Sequence, residues 1–184
     1  MIIFNRNKMK LLDRNDKKLR IISEPIIEFD KTLVELGKAL IKKMKDPLND
    51  GVDTVGISAV QVGINLRVCI CQNPNSGKNI PMVNPEIIES SIDETKELEG
   101  CLSVGTGPDQ LFGYVHRFKK ITVKYYDLKG QEHVLEVKDL FSHIVQHEID
   151  HMDGKLFIDY FRNPNDIMTL SELNEHTRQQ KHLK

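Results

Sequence analysis

Two histidines and a glutamate near the end of the chain have the spacing of a metal-dependent hydrolase. His147, Glu148 and His151 form an H-E-x-x-H run within QHEIDHMDG. On an α-helix, residues i and i+4 lie on the same face, so both imidazoles can bind one ion while the glutamate lies beside it. A divalent ion lowers the pKa of bound water to about 7, and the carboxylate can then accept its proton. The run therefore predicts a site that activates water for hydrolysis.

The residues around this run predict a largely buried helix. Asp139 has the position expected of an N-cap, and Gly154 that of a C′ residue. Between them, apolar residues recur at helical spacing: Leu140, Phe141, Ile144, Val145, Ile149 and Met152. Two histidines four residues apart also occur by chance on solvated helices. Burying two imidazoles and a carboxylate is costly unless a partner compensates, and a metal ion is such a partner.

A hydrolytic metal site usually has three protein ligands, and the sequence offers two sources for the third. One class of H-E-x-x-H enzymes takes a glutamate from a later helix, and Glu172 or Glu175 lies at a suitable distance along the chain. The other candidate is Cys101, which follows a glycine in the polar stretch EGCLS. A lone cysteine is more often a small buried apolar residue than a ligand. Residue type alone leaves this choice open.

Three motifs in a fixed order make the chain resemble the peptide deformylase family. They are VGISAVQVG at residues 55–63, EGCLS at 99–103 and QHEIDHMDG at 146–154. The resemblance covers most of the chain, from about residue 19 to residue 161. It implies a metal-dependent hydrolase that removes the formyl group from N-formylmethionyl nascent peptides.

The resemblance also implies a metal and the residues that bind it. Cys101, His147 and His151 are the implied ligands, with water in the fourth position. The implied ion is iron(II). A thiolate with two imidazoles also accepts zinc, nickel or cobalt, so the donor set by itself does not select the metal.

Catalytic and substrate-binding roles follow from the same resemblance. Glu148 is the implied general acid/base, while the Gln61 side-chain amide and the Leu102 backbone N–H would stabilise the oxyanion. Such donors suit the chemistry, because the tetrahedral intermediate of amide hydrolysis concentrates negative charge on one oxygen. The implied substrate-binding residues are Val55, Gly56, Gly100, Leu140, His143 and Ile144.

Three positions depart from the family pattern. Thr54 stands where the family usually has a glycine, and Ser58 stands where it usually has alanine; neither change removes a catalytic group. His143, one turn before His147, occupies a position that is usually apolar and helps to line the pocket for the methionine side chain. A lone histidine on a helix is commonly a hydrogen-bonded structural residue, since imidazoles are often partly buried. If His143 lines the pocket, we expect a weakened preference for methionine.

Two alternative functions remain at the level of the sequence. The first is a zincin-type metallopeptidase in which Glu172 or Glu175 is the third ligand; it would cleave internal peptide bonds and be indifferent to Cys101. The second is a deformylase-like binding protein with little turnover, for which the altered pocket residues are the only support. Glu148, Gln61 and Cys101 are all present and count against it.

Composition and cysteine usage add the expected class and compartment. The 184 residues are 39% hydrophobic and 29% charged, as is usual for one globular domain, here taken as residues 1–184. A net charge of −1 gives no reason to expect nucleic acid or a membrane as partner. Three cysteines without a secretory signal predict a cytoplasmic location, and Cys69 and Cys71 are expected to be packed thiols. The ribosome surface near the exit tunnel is a further candidate partner.

Hydrophobic periodicity predicts an α+β fold. A helix is expected over residues 33–44 and a strand over 64–70, followed by a second strand over 81–88. The alternating segments on either side of DLKGQ, within residues 121–137, predict a hairpin. Because strands precede a late helix without regular βαβ alternation, we expect mostly antiparallel sheets packed around the helix that carries the H-E-x-x-H run.

Two segments give weaker signals. Residues 104–116, VGTGPDQLFGYVH, are glycine-rich and resemble an insertion found in one branch of the family. Residues 171–184 are polar and predict either a short helix or a frayed tail.

Overall fold

A computed structural model describes residues 9–46, 54–161, 163 and 166–182 of the chain. Its α-helices are α1 (Lys31–Met44), α2 (Leu140–Met152) and α3 (Leu170–His182). Its strands are β1 (Gly56–Ser58), β2 (Val68–Gln72), β3 (Asn79–Ser90), β4 (Glu94–Gly100), β5 (Leu111–Phe118), β6 (Lys120–Tyr126), β7 (Glu132–Lys138) and β8 (Ile167–Thr169). In the part of the chain so described, no helix is long and apolar enough to cross a membrane.

The strands form two antiparallel sheets. The larger sheet has the order β1-β2-β3-β6-β7, and the smaller has the order β4-β5-β8. Each pair of neighbouring strands is antiparallel. The predicted hairpin is confirmed, since β6 and β7 pair from Lys120↔Lys138 to Tyr126↔Glu132. The predicted α+β class is confirmed as well. β1 is a terminal strand of the larger sheet, and β4 is a terminal strand of the smaller one.

The larger sheet lies between α1 and α2 because side chains along β2 alternate between its faces. Cys69 and Cys71 are fully buried in a cluster with the apolar residues of α2. Val68 and Ile70 are fully buried in a second cluster with those of α1. The expectation of packed thiols is therefore confirmed, and both cysteines are free. Helix α2 is enclosed along most of its length, which places the H-E-x-x-H run in the interior.

The ends of α2 differ from each other in how they are fixed. Asp139 is the N-cap residue, as predicted, although its side chain makes no capping hydrogen bond. Instead, Asp139 adopts φ 52° and its N–H donates to the Lys119 carbonyl at 2.8 Å, which turns the chain directly from β7 into the helix. Gly154 follows the C-cap with φ 73°, as predicted for a C′ glycine.

Several elements of the fold differ from the sequence-based prediction, because contacts with distant parts of the chain help to decide where strands form. The strand expected over 64–70 begins only at Val68, because the preceding residues are held by the N-terminal segment: Glu24 forms an isolated parallel bridge with Leu66. Strand β5 occupies much of the segment expected to be a glycine-rich insertion, and β4 was not predicted at all. The polar C-terminal segment forms α3.

Candidate active site

Three potential metal ligands converge from two parts of the fold. Cys101 follows the last residue of β4, whereas His147 and His151 lie one turn apart on α2. Their ligand atoms all lie within 4.8 Å of one another, and Cys101 Sγ is 3.3 Å from His151 Nε2. Among the described residues this is the only such group of histidines, cysteines and carboxylates. Glu172 and Glu175, the alternative ligands, are not part of it.

This donor set fits a divalent metal ion. One thiolate and two imidazoles leave a fourth tetrahedral position for water or substrate, as in hydrolytic sites. Cys101 and His151 are almost fully buried. The Nδ1 atom of His147 lies 2.8 Å from Glu99 Oε2, so its Nε2 is left for an ion. A carboxylate behind a ligating histidine fixes the ring orientation and raises the basicity of the ligand.

Glu99 belongs to a buried charge network that orients the site. The Arg117 guanidinium donates to both Glu99 oxygens and, through Nη1, to Asp150 Oδ2 at 2.7 Å. The Tyr160 hydroxyl donates to the same Asp150 oxygen at 2.9 Å. Burial alone would raise the pKa of Glu99, but hydrogen bonds from His143, His147 and Arg117 outweigh it and hold that pKa well below its usual range. Glu99 is therefore a carboxylate over the whole physiological pH range.

Glu148 is buried beside the cluster and is held from the side of β1. Its Oε2 lies 2.6 Å from the Ser58 hydroxyl oxygen. A Cβ atom on Gly56 would collide with Glu148 Oε1, so any larger residue at this position would displace the carboxyl. Burial raises the pKa of Glu148 to about 7, against the opposing effects of His147 and of the Ser58 hydrogen bond. A carboxyl group with such a pKa can accept and release a proton near neutral pH.

The side-chain amide of Gln61 has a fixed orientation. Its Oε1 accepts a hydrogen bond from the Ser58 backbone N–H at 2.8 Å. The NH₂ group therefore points the other way, with Nε2 at 3.4 Å from Cys101 Sγ and 3.3 Å from Ser103 Oγ. Leu102 is the first residue of the 3-10 turn Leu102–Val104, where backbone N–H groups lack a partner within the turn. Both candidate oxyanion donors thus lie next to the candidate ligand Cys101.

A cavity of about 260 Å³ opens onto these groups. Every predicted site residue except His151 lines this cavity. The lining residues that had been predicted are Val55, Gly56, Gln61, Gly100, Cys101, Leu102, Leu140, His143, Ile144, His147 and Glu148. Gly100 is required by packing, because a Cβ atom there would lie 2.8 Å from ring carbons of Phe112. The structure therefore brings the predicted site together.

One wall of the cavity carries polar side chains from α2 and β4. His143 is 2% exposed and lines the cavity, with Nε2 at 2.9 Å from Thr95 Oγ1 and Nδ1 at 3.4 Å from Glu99 Oε1. Glu97, on the same face of β4 as Thr95 and Glu99, also lines the cavity. No hydrogen bond or ion pair involves its carboxylate within the described ranges. His143 thus has both a structural contact and a place in the cavity wall.

Sequence reasoning did not assign a role to four of these residues. Glu99 and Asp150 lie inside the quoted motifs, so their position next to the ligands in sequence was an available signal. Arg117 had no such signal, because its pairing with both carboxylates arises only from the register of β4 and β5. Ser58 was noted only as a departure from the family pattern, and its contact with Glu148 spans 90 positions along the chain.

Comparisons with known proteins point to one family. A family model described as polypeptide deformylase matches residues 8–166. The peptide deformylase of Endomicrobium trichonymphae is 38% identical over 154 residues, which cover 83% of this chain and 86% of that protein. That of Heliobacterium modesticaldum is 38% identical over 156 residues, or 85% and 95% of the two chains.

Solved structures show the same similarity. A peptide deformylase from Legionella pneumophila has a TM-score of 0.75 and 34% identity, covering 94% of this chain and 96% of that one. The peptide deformylase from Thermotoga maritima has a TM-score of 0.75 and 30% identity, covering 84% and 98%.

Proposed function

The chain belongs to the peptide deformylase family, whose metal-dependent enzymes remove the formyl group from nascent peptides, and on this premise we propose how its residues carry the reaction. Cys101, His147 and His151 hold the ion, and Glu148 is the general acid/base. The observation that carries the proposal is that the ligand atoms of Cys101, His147 and His151 lie within 4.8 Å of one another, beside a cavity that Cys101, His147 and Glu148 line. When bound, the ion supplies Lewis acidity that makes water a nucleophile at neutral pH.

Glu148 moves the proton that amide hydrolysis requires. It takes a proton from the attacking water and delivers it to the leaving nitrogen as the C–N bond of the formamide breaks. The products are formate and a peptide with a free amino group. The Glu148 carboxyl must be a base when it takes the proton from water and an acid when it delivers the proton to the nitrogen. Its pKa of about 7 suits both steps.

Gln61 and Leu102 stabilise the oxyanion that forms between these two proton transfers. The support for Gln61 is its fixed amide, whose acceptor oxygen is occupied by the Ser58 N–H so that its donors face the site. Leu102 contributes a backbone N–H beside Cys101. Donors held in place before the reaction cost no reorganisation when the charge develops, and removing one typically slows an enzyme about 100- to 1000-fold.

The substrate lies between the two terminal strands that border the cavity. β1 ends the larger sheet and β4 ends the smaller one, and residues of both line the cavity. An extended peptide can hydrogen-bond to such an exposed strand edge through its main chain. Gly56 and Gly100 have no side chain to keep the peptide backbone away, while Val55, Leu140 and Ile144 supply apolar walls.

The direct test is release of formate from a formyl-methionyl tripeptide by the purified protein. We expect stoichiometric formate and a free amino terminus, with no shorter fragments. Cleavage of an internal peptide bond without formate would instead indicate the zincin-type activity. Binding of the peptide without any turnover would indicate the binding-protein alternative.

We propose iron(II) as the ion that supports activity in the cell. A ferrous ion and its thiolate ligand are both oxidisable, so a protein purified without oxygen should be highly active and should lose activity in air. The measurement is formate release by parallel anaerobic and aerobic preparations with their metal contents. A zinc form that is the more active of the two would rule out this assignment.

His143 is proposed to reduce the preference for methionine at the first residue. An imidazole in the wall makes burial of the thioether less favourable than an aliphatic wall would. We expect His143→Ile to raise the ratio of kcat/KM for formyl-Met over formyl-Ser peptides roughly tenfold, since one mismatched apolar group is worth about 1–3 kcal/mol of discrimination.

A control separates this effect from the introduction of isoleucine as such. His133→Ile changes a histidine on β7 that does not line the cavity, and it should leave the ratio unchanged. An unchanged ratio in His143→Ile would restrict that residue to its structural contacts with Thr95 and Glu99.

A cytoplasmic location and docking on the ribosome near the exit tunnel complete the proposal. Three buried free cysteines suit a reducing compartment, and a substrate still attached to the ribosome favours an enzyme that binds there.

A further inference from the structure

The hydroxyl group of Ser58 makes two contacts with Glu148 inside the protein. Its Oγ lies 2.6 Å from Oε2 of the carboxyl and 2.9 Å from the Glu148 backbone carbonyl oxygen. Ser58 is fully buried, and Glu148 is 3% exposed. Water therefore does not compete for either contact, and a hydrogen bond to a carboxylate in such surroundings is stronger than one in solvent.

β1 holds the Glu148 carboxyl at both of its oxygens. Oε1 lies against Gly56, where a Cβ atom would collide with it, and Oε2 lies against the Ser58 hydroxyl. β1 is itself fixed in register on β2 by the pairs Gly56↔Cys71 and Ser58↔Cys69. The strand thus limits the rotation of the carboxyl from one side by contact and from the other by a hydrogen bond.

We propose that Ser58 is a positioning residue that holds the Glu148 carboxyl in the orientation required for proton transfer. The inference rests on the proposed function in one respect, namely that Glu148 carries the proton. It concerns the rate of the chemical step and not the binding of metal, because the hydrogen bonds that the Ser58 hydroxyl donates go to Glu148 and, among the described residues, to none of the proposed metal ligands.

A hydroxyl suits this role because it can remain bonded whether Glu148 carries a proton or not. A serine hydroxyl has one proton to donate and two lone pairs to accept with. Towards a carboxylate, it donates to Oε2. Towards a carboxylic acid that carries its proton on Oε1, it donates to Oε2 in the same way, so the transferred proton is on the oxygen that Ser58 does not hold. The carboxyl therefore keeps one partner at one position through the whole reaction.

Ser58→Ala tests this contact with little disturbance of the rest of the site. Alanine differs from serine only by the loss of the hydroxyl oxygen, so it fits the volume of this buried position. The backbone N–H of residue 58 remains and continues to hold Gln61. We expect kcat for formate release to fall about threefold to tenfold, as expected for one hydrogen bond, with KM and metal content unchanged.

Two further variants exclude a general effect of losing a buried hydroxyl. Ser142→Ala removes an equally buried hydroxyl on α2, which donates to the Phe118 carbonyl at 2.8 Å and does not contact Glu148. It should leave kcat unchanged even if the melting temperature falls. Ser58→Thr keeps the hydroxyl and should restore kcat; if its extra methyl group prevents folding, the comparison of the two alanine variants decides the matter.

An unchanged kcat in Ser58→Ala, or equal losses in Ser58→Ala and Ser142→Ala, would overturn the proposal. A crystal structure of Ser58→Ala provides a measurement that does not depend on activity. We expect the Glu148 carboxyl to be displaced or spread over several rotamers; an ordered carboxyl at its original place would also overturn the proposal. Absence of formate release by the unaltered protein would instead contradict the proposed function. The crystal structure of Ser58→Ala would then be the test of whether Ser58 positions the Glu148 carboxyl.

Discussion

Glu148→Ala should abolish nearly all formate release and leave the metal content of the protein unchanged. The substitution removes the only proposed group that moves a proton between water and the leaving nitrogen, and such groups contribute about 100- to 10,000-fold in rate. Cys101, His147 and His151 are untouched, so the ion should remain. The measurement is kcat for a formyl-methionyl peptide together with the metal content of the same preparation.

Glu148→Gln serves as the matched variant, because glutamine keeps the volume and the contact with Ser58 but cannot take up the proton. It should be as inactive as Glu148→Ala. A glutamine variant with substantial turnover would show that Glu148 acts through packing or hydrogen bonding, and a metal-free Glu148→Ala protein would show that it supports the metal site.

Cys101→Ala should lose the ion while the fold is retained. The thiolate is the only anionic ligand of the proposed set, and its removal leaves two neutral imidazoles. Changing a group behind a ligand typically weakens metal binding about 10- to 100-fold, so loss of a ligand itself should exceed that range. The measurement is metal content after dialysis, with circular dichroism as the check on folding.

Cys69→Ala is the matched control, since Cys69 is likewise buried and free but packs in the core below α2. It should keep its metal and most of its activity. Full metal occupancy in Cys101→Ala would refute the three-ligand site and revive a ligand set that draws on another residue.

Local sequence patterns were sufficient for those parts of the site that depend on one element. His147, Glu148 and His151 lie on a single helix, so their mutual position follows from the helical repeat. The β6-β7 hairpin also follows from alternation across a short turn, and its strands begin and end within a few residues of the prediction. In both cases the residues that interact are close in sequence.

Residues that act across elements were not predictable in the same way. β4 reads ETKELEG and has no apolar alternation, because its inward face carries Thr95, Glu97 and Glu99, which face the cavity and the buried network. Asp139 shows the same limit on a smaller scale. Its type predicts a side-chain cap, whereas the tight passage from β7 to α2 imposes a positive φ and leaves the cap unmade. Cys101, the proposed third ligand, could be selected only through the family resemblance, since its distance from the histidines depends on the fold.

The proposed ligands come from two separate parts of the fold, and this has a consequence for the unfolded chain. Cys101 belongs to the end of the smaller sheet and His151 to the helix packed on the larger one, 50 positions further along the chain. An ion shared between them closes that long loop, and closing a loop of this length in the unfolded chain costs appreciable conformational entropy. In the folded protein these residues are already close together, so the ion binds the folded state in preference to the unfolded chain. By mass action, this binding stabilises the folded state. Chelation should therefore loosen the smaller sheet before the larger one, so that loss of catalysis and loss of local order have the same origin.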